Sequence, residues 1–205
     1  MSFTELNSVE HYIIHQLSNI NLNSKNVYEG SLKPYGADWQ FQSADQLGRK
    51  VDEVLLVSQV KESLIRLNPE IKAKPELADE VVYKLRAILI SVNQVGLVKA
   101  NEEFFIWLTG SKTMPFGENN AHVPVRLIDF DNLSNNQYLI TNQFRIHQRE
   151  TKIPDIVMMI NGIPVVVGEA KTPIRPSVTW LDGANEVHNI YENAVPQLFV
   201  PNILS

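Results

Sequence analysis

Two apolar runs, residues 156–160 and 164–167, flank Asn161-Gly162. No other feature restricts the fold of this chain as much. An Asn-Gly pair between β-rich runs signals a hairpin, because a tight two-residue turn requires positive φ at both central positions. Charged residues bound this hairpin, with Ile153-Pro154-Asp155 before it and Gly168-Glu169-Ala170-Lys171 after it. Period two puts Glu169 and Lys171 on one face of their strand and turns Ala170 away. Charges beside strands of Ile, Met and Val are costly unless they are paired or hold an ion. The register then poses a conflict. A two-residue turn pairs Ile160 with Ile163 and Asp155 with Gly168, which sends Asp155 and Glu169 to opposite faces. A three-residue loop pairs Ile160 with Pro164 and sets the carboxylates opposite one another. A shared site therefore predicts an odd-length loop or a bulge.

The remainder of the chain changes period near residue 121. Residues 1–20 read as an amphipathic helix with Ser2 and Glu5 as a capping box. Leu6, Val9, Ile13, Ile14, Leu17 and Ile20 fall in one arc, Glu10 lies inside it, and His11 and His15 point toward solvent. Residues 21–42 read as loop or short hairpin around Trp39 and Phe41. A second helix is expected from Ser43 to the Asn68-Pro69 stop, a third from near Pro75 to Gly96, and a short fourth over residues 101–108. Beyond 121, strands are expected at 123–129 and 138–147, then the hairpin, a helix at 179–193 and a last strand at 197–204. This order predicts an α/β sandwich in one domain over residues 1–205.

Composition narrows the function classes. The 205 residues include no cysteine, which excludes a disulfide framework, a thiolate metal site and a cysteine nucleophile. The start lacks a secretory pattern, and the longest uncharged apolar stretch, residues 156–168, is too short to span a bilayer. A cytoplasmic location with no membrane contact is expected. The net charge of −5 is the wrong sign for gripping nucleic acid by bulk electrostatics. Residues 144–176, however, carry Arg145, Arg149, Lys152, Lys171 and Arg175 against Glu150, Asp155 and Glu169, a local excess of +2. Such a patch suits phosphate contacts, or is an ordinary solvated surface.

His11 and His15 have i, i+4 spacing, but Tyr12 stands where a zinc protease carries glutamate, so they read as surface histidines. Gly110-Ser111-Lys112-Thr113 lacks the leading glycine and the adjacent Gly-Lys of a phosphate loop and reads as a polar turn. Trp39, Trp107 and Trp180 read as core or partner-facing.

Asp155, Glu169 and Lys171 supply what phosphodiester hydrolysis needs. Two carboxylates and a backbone carbonyl are oxygen ligands for a hard divalent cation, and an amine beside it can orient or deprotonate the attacking water. A sheet-end ion pair is the simpler alternative. Pro154-Asp155 followed by Glu169-Ala170-Lys171 resembles the PD-(D/E)xK signature of the metal-dependent restriction-type nucleases. Ile128-Asp129-Phe130, Asn135-Asn136, Asn142-Gln143-Phe144, Asn161-Gly162-Ile163-Pro164, Glu169-Ala170-Lys171-Thr172-Pro173 and Pro196-Gln197-Leu198-Phe199 occur in order. Together they resemble the N-terminal nuclease domain of the type I restriction endonuclease R subunit.

That resemblance implies a restriction-endonuclease-like α/β fold, a central mixed sheet flanked by helices with residues about 43–110 as a helical insertion, and Mg²⁺-dependent cleavage of double-stranded DNA. Asp155 and Glu169 would hold Mg²⁺, the Ala170 carbonyl and Glu10 would be further ligands, and Lys171 would serve the water. Arg145, Arg149, Lys152, Arg175 and Tyr191 are the expected DNA contacts. Some relatives carry Gln-x-x-x-Tyr on the helix after the lysine. Tyr191 fits the tyrosine, but Val187 holds the glutamine position, with His188 and Asn189 as its polar neighbours. The implied partners are the modification and specificity subunits and a C-terminal helicase-like motor on the same polypeptide. A non-catalytic docking module of nuclease-like fold and a stand-alone PD-(D/E)xK nuclease are the alternatives.

Overall fold

The computed structural model describes residues 9–22, 38–171 and 179–205. The capping box expected at Ser2 and Glu5, and Arg175 among the expected DNA contacts, lie outside the described residues. Helix α1 (His11–Ser18) precedes a short strand β1 (Gln40–Phe41). Four helices follow: α2 (Val57–Leu67), α3 (Pro69–Ala73), α4 (Leu77–Val95) and α5 (Leu97–Leu108). Strands β2 (Thr113–Met114), β3 (Val123–Pro124), β4 (Tyr138–Asn142), β5 (Ile146–His147), β6 (Thr151–Lys152), β7 (Ile156–Ile160) and β8 (Ile163–Gly168) come next. The chain then forms α6 (Trp180–Asn185), a π-helical turn Glu186–Tyr191, α7 (Glu192–Ala194) and α8 (Pro196–Phe199).

The central sheet has the order β1-β4-β7-β8 and is mixed, since β1 runs parallel to β4 and the other pairs are antiparallel. Alternation along β4 and β7 feeds two cores. Leu139, Val157 and Met159 pack with α2, α4, α5 and α8, while Ile140, Ile156 and Met158 pack against Ile13, Ile14 and Leu17 of α1. Helices thus cover both faces. None of the described helices is long and apolar enough to cross a membrane.

The hairpin resolves its register conflict with a bulge. Asn161 and Gly162 both take positive φ, 54° and 78°, and Ile160 pairs with Ile163, so the turn has two residues. The register then shifts: Met159 pairs with Pro164 but Met158 with Val166, which leaves Val165 as the extra residue. Pro164 has no N–H to give the ladder, which suits the irregularity. Ile156 consequently faces Gly168, and the next residues outward, Asp155 and Glu169, reach the same end of the sheet.

Several expected elements differ. The predicted helix from Ser43 is only a 3₁₀ turn at Ala44–Gln46, and α2 starts at Val57. Gly48 at φ 60° breaks the path, and Leu56 instead donates its N–H to the Gly162 carbonyl at 2.9 Å. Residues 40–41 form no hairpin of their own but pair with β4. The strand expected over 123–129 is only Val123–Pro124, followed by one further backbone bond from Val125 N–H to the Lys112 carbonyl at 2.9 Å. The run expected as one strand over 138–147 breaks at Gln143, which adopts φ 52°.

The last strand expected at 197–204 is helix α8, with Pro196 in its first turn, and only Leu204 bridges to Val166 in parallel. Residues 194–201 are buried nearly without interruption, a pattern that fits a helix enclosed on all sides as well as a strand. His11 and His15 are half-buried rather than solvated, and desolvation holds His11 below its ordinary pKa.

Candidate active site

Three chain segments meet at the open end of the β7–β8 hairpin. β4 ends there in Asn142 and is followed by Gln143, Asp155 stands just ahead of β7, and the chain leaves β8 through Glu169, Ala170 and Lys171. Backbone bonds from Gln143 N–H to the Asp155 carbonyl and from Phe144 N–H to the Pro154 carbonyl, both 3.0 Å, hold the first two together. The Ala170 N–H donates to Asp155 Oδ2 at 2.8 Å, which ties the third to them. The Lys171 amine donates to Glu169 Oε1 at 2.9 Å. Asp155, Glu169 and Lys171 thus converge where period-two reasoning expects them, although the strand itself ends at Gly168.

The cluster is rich in negative charge. The Glu169 side chain is 8% exposed, and its carboxyl is pushed up to about 7. Burial is the largest cause, the Lys171 hydrogen bond opposes it, and the nearby charges of Asp155 and Glu186 add to it. Glu169 Oε2 is buried and has no hydrogen-bond partner. A buried carboxylate oxygen left open beside a second carboxylate is what a hard cation relieves, so the residues present fit a divalent ion with oxygen ligands. Among the described residues no group of three or more His, Cys, Asp or Glu is placed to hold a metal on side chains alone. Any ion here therefore needs oxygens beyond the carboxylates, such as the Ala170 carbonyl and water.

Glu10 sits just before α1, only 1% exposed. Gln143 Nε2 lies 3.1 Å from both Glu10 carboxylate oxygens and 3.1 Å from Asp155 Oδ1, so one amide bridges the two acids. Asn142 Nδ2 reaches Glu10 Oε2 at 3.4 Å. Sequence reasoning assigned no role to this bridge. Its signal is the left-handed backbone at Gln143, an uncommon conformation for a residue with a Cβ, which propensity alone does not reveal.

The other expected contacts lie in different surroundings. Arg145 is exposed at the start of the β5–β6 ribbon. Arg149 donates to the Asn193 carbonyl at 3.1 Å and to Asn93 Oδ1 at 2.8 Å, a bracing role between elements. Lys152 pairs with Glu150 at 2.9 Å. Tyr191 is 7% exposed and turns its hydroxyl inward to Glu186 Oε1 at 3.3 Å, away from the surface position a DNA contact needs. Burial, the charges of Glu169 and Glu186 and a hydrogen bond to Glu169 push its phenol well above the ordinary value.

Glu186 is the residue the sequence did not single out. It receives the Lys171 amine at 2.8 Å. The available signal was an acid one position ahead of the Gln-x-x-x-Tyr spacing.

Comparison with known proteins places these residues in context. The family described as type I restriction enzyme R protein N terminus matches residues 10–205. The type I restriction enzyme HindI endonuclease subunit of Haemophilus influenzae is 31% identical over 173 residues, covering 82% of this chain and 16% of that protein. A Methanocaldococcus jannaschii protein named provisionally as the type I restriction enzyme MjaIXP endonuclease subunit is 29% identical over 131 residues, 61% of this chain and 12% of its own length. The chain therefore spans under a fifth of the length of these relatives. No solved structure matches it.

Proposed function

The chain belongs to the type I restriction enzyme R protein N-terminal family, and from that membership we propose that it is a PD-(D/E)xK endonuclease domain cutting double-stranded DNA with Mg²⁺. The observation that carries this reading is the bulge at Val165, which brings Asp155 and Glu169 to one end of the sheet beside Lys171. Asp155 and Glu169 would hold Mg²⁺, with the Ala170 carbonyl as a further ligand. Bound there, the ion supplies Lewis-acid polarisation of the phosphate and a more acidic water. Asp155 is held for this task by the Ala170 N–H and the Gln143 amide. Glu10 shares that amide and fixes the far side of the cluster. Lys171 presents its amine beside Glu169, where it orients the attacking water and offsets charge on the phosphate.

A chain of net charge −5 has little sequence-independent hold on DNA, so delivery falls to the remainder of the enzyme. The proposed partners are double-stranded DNA, the modification and specificity subunits, and a helicase-like motor in the same subunit. The test compares plasmid cutting with ATP turnover in the complete enzyme for Asp155→Ala and Lys171→Ala. Cutting should fall by roughly three or more orders of magnitude with ATP turnover retained. Unimpaired cutting by both variants refutes the mechanism, and equal loss of both activities marks these residues as structural, the outcome expected of a docking module.

A further inference from the structure

The helix after the site contains a π-helical turn, Glu186–Tyr191. In an α-helix, residues five apart lie well apart around the axis, whereas one residue inserted as a π turn brings them onto one face. Glu186 and Tyr191 are spaced by five. The two oxygens of Glu186 are divided between two partners: Oε2 takes the Lys171 amine at 2.8 Å and Oε1 takes the Tyr191 hydroxyl at 3.3 Å. The helix reaches this position from a fixed start, a capping box in which Asp182 Oδ2 receives both the Thr179 N–H at 2.6 Å and its hydroxyl at 3.0 Å. It also passes close to the lysine stem. A Cβ on Gly183 would lie 3.3 Å from Lys171 Cγ and 3.4 Å from the Glu169 carbonyl oxygen.

We propose that Glu186 is a positioning residue for Lys171, brought into place by the π turn, with the Tyr191 hydroxyl as its second contact. Lys171 has two carboxylate partners, Glu169 and Glu186. Glu169 is the one the nuclease reading commits to the cation, and the inference rests on that reading. Glu186 then keeps the amine beside the reacting phosphate while Glu169 is engaged. A pair with only Glu169 would leave a four-carbon stem free to swing once that partner is taken.

The test uses the intact protein with Glu186→Gln, which keeps shape and removes charge. The first readout is acylation of each lysine by an amine-reactive reagent, resolved by mass spectrometry without metal or DNA. The second is kcat, KM for DNA and the Mg²⁺ concentration for half-activation. Glu186→Gln should raise labelling of Lys171 several-fold relative to Lys152. It should also lower kcat by about 10- to 100-fold, with KM and the Mg²⁺ requirement unchanged.

Wild-type labelling and kcat in Glu186→Gln overturn the proposal. So does a uniform rise in labelling of all lysines, which assigns Glu186 to stability alone. Labelling is independent of cleavage, so normal cutting by Lys171→Ala defeats the nuclease mechanism without deciding whether Glu186 holds the lysine.

Discussion

At its turn, the β7–β8 hairpin buries Asn161 with every polar atom of the amide engaged; at its open end it buries Glu169 with one oxygen lacking a hydrogen-bond partner. Asn161 Oδ1 accepts from the Gln137 N–H at 2.9 Å and from Arg66 at 3.1 Å, and its Nδ2 donates to the Leu127 carbonyl at 2.8 Å and Asn136 Oδ1 at 2.9 Å. Asn136 returns the pattern to Asp129, whose carboxylate accepts from the N–H groups of Asp131 and Asn132 and from Asn135. The Asn135 hydrogen bond, followed by that from Asn132, holds Asp129 below the usual carboxylate range. Burial pushes Glu169 the other way. Fully satisfied polar groups mark a structural cluster, and an incompletely satisfied carboxylate calls for an explanation, which the proposed cation supplies. Burial of acids alone does not separate the two ends.

Substitution of one buried polar residue at each end should divide activity from stability, and the largest effect belongs to the open end. Glu169→Gln removes the proposed ligand charge, so cleavage by the complete enzyme should drop by roughly three or more orders of magnitude. Its thermal unfolding midpoint in chelator at pH 8 should hold or rise, because a poorly compensated buried charge is gone. A parallel loss of cleavage and stability breaks the contrast.

At the turn, Asn161→Ala should destabilise the chain by about 3 kcal/mol, since it strands several buried partners and puts alanine at positive φ. Cleavage per folded molecule should change little. Urea unfolding beside an activity titration measures both.

The two glycines sharpen the contrast further. A Cβ on Gly162 would meet the Leu56 carbonyl oxygen at 2.7 Å, and φ is 78° there, so Gly162→Ala should lower stability by roughly 2 kcal/mol. Gly183→Ala meets the flexible Lys171 stem instead, with Cγ at 3.3 Å. That variant should stay within about 1 kcal/mol of wild type yet lower kcat several-fold by shifting the amine. Equal effects on stability at the two positions count against the assignment of the open end as the working end.

Legibility in the sequence follows the same division. Asp155, Glu169 and Lys171 are readable because charges beside strands of Ile, Met and Val are costly, and a shared site on their register requires a bulge or an odd loop. The turn residues Asp129, Asn135, Asn136 and Asn161 were readable as part of a family pattern, but their role as one hydrogen-bonded cluster was not, since it joins segments distant in sequence. Glu186 escaped notice because a π turn adds a residue that a 3.6-residue period does not count. Gln143 escaped because its left-handed backbone interrupts an otherwise strand-like run. The helix at Pro196–Phe199 was misread because an unbroken apolar run fits either structure.

The smallest effect is the pH dependence of stability, and it has opposite sign at the two ends. Glu169 is raised from 4.5 to about 7 in the folded state. Between those values the folded chain binds more protons than the unfolded one, so this stabilising contribution is complete below about 4.5 and lost as pH rises through about 7. Asp129 is held below its ordinary 3.8, so its contribution is present above that value and lost as pH falls beneath it. Unfolding midpoints in chelator should therefore show Glu169→Gln flattening the decline between pH 4.5 and 7, by roughly a few degrees, with no change in slope above it. Asp129→Asn should instead lower the midpoint at neutral pH, with the gap closing in acid. Added Mg²⁺ should raise the wild-type midpoint more at pH 8 than at pH 5.5, because at the lower pH the ion must displace a proton from Glu169. A Mg²⁺ effect independent of pH removes Glu169 from the ligand set and leaves its raised pKa as a property of burial alone.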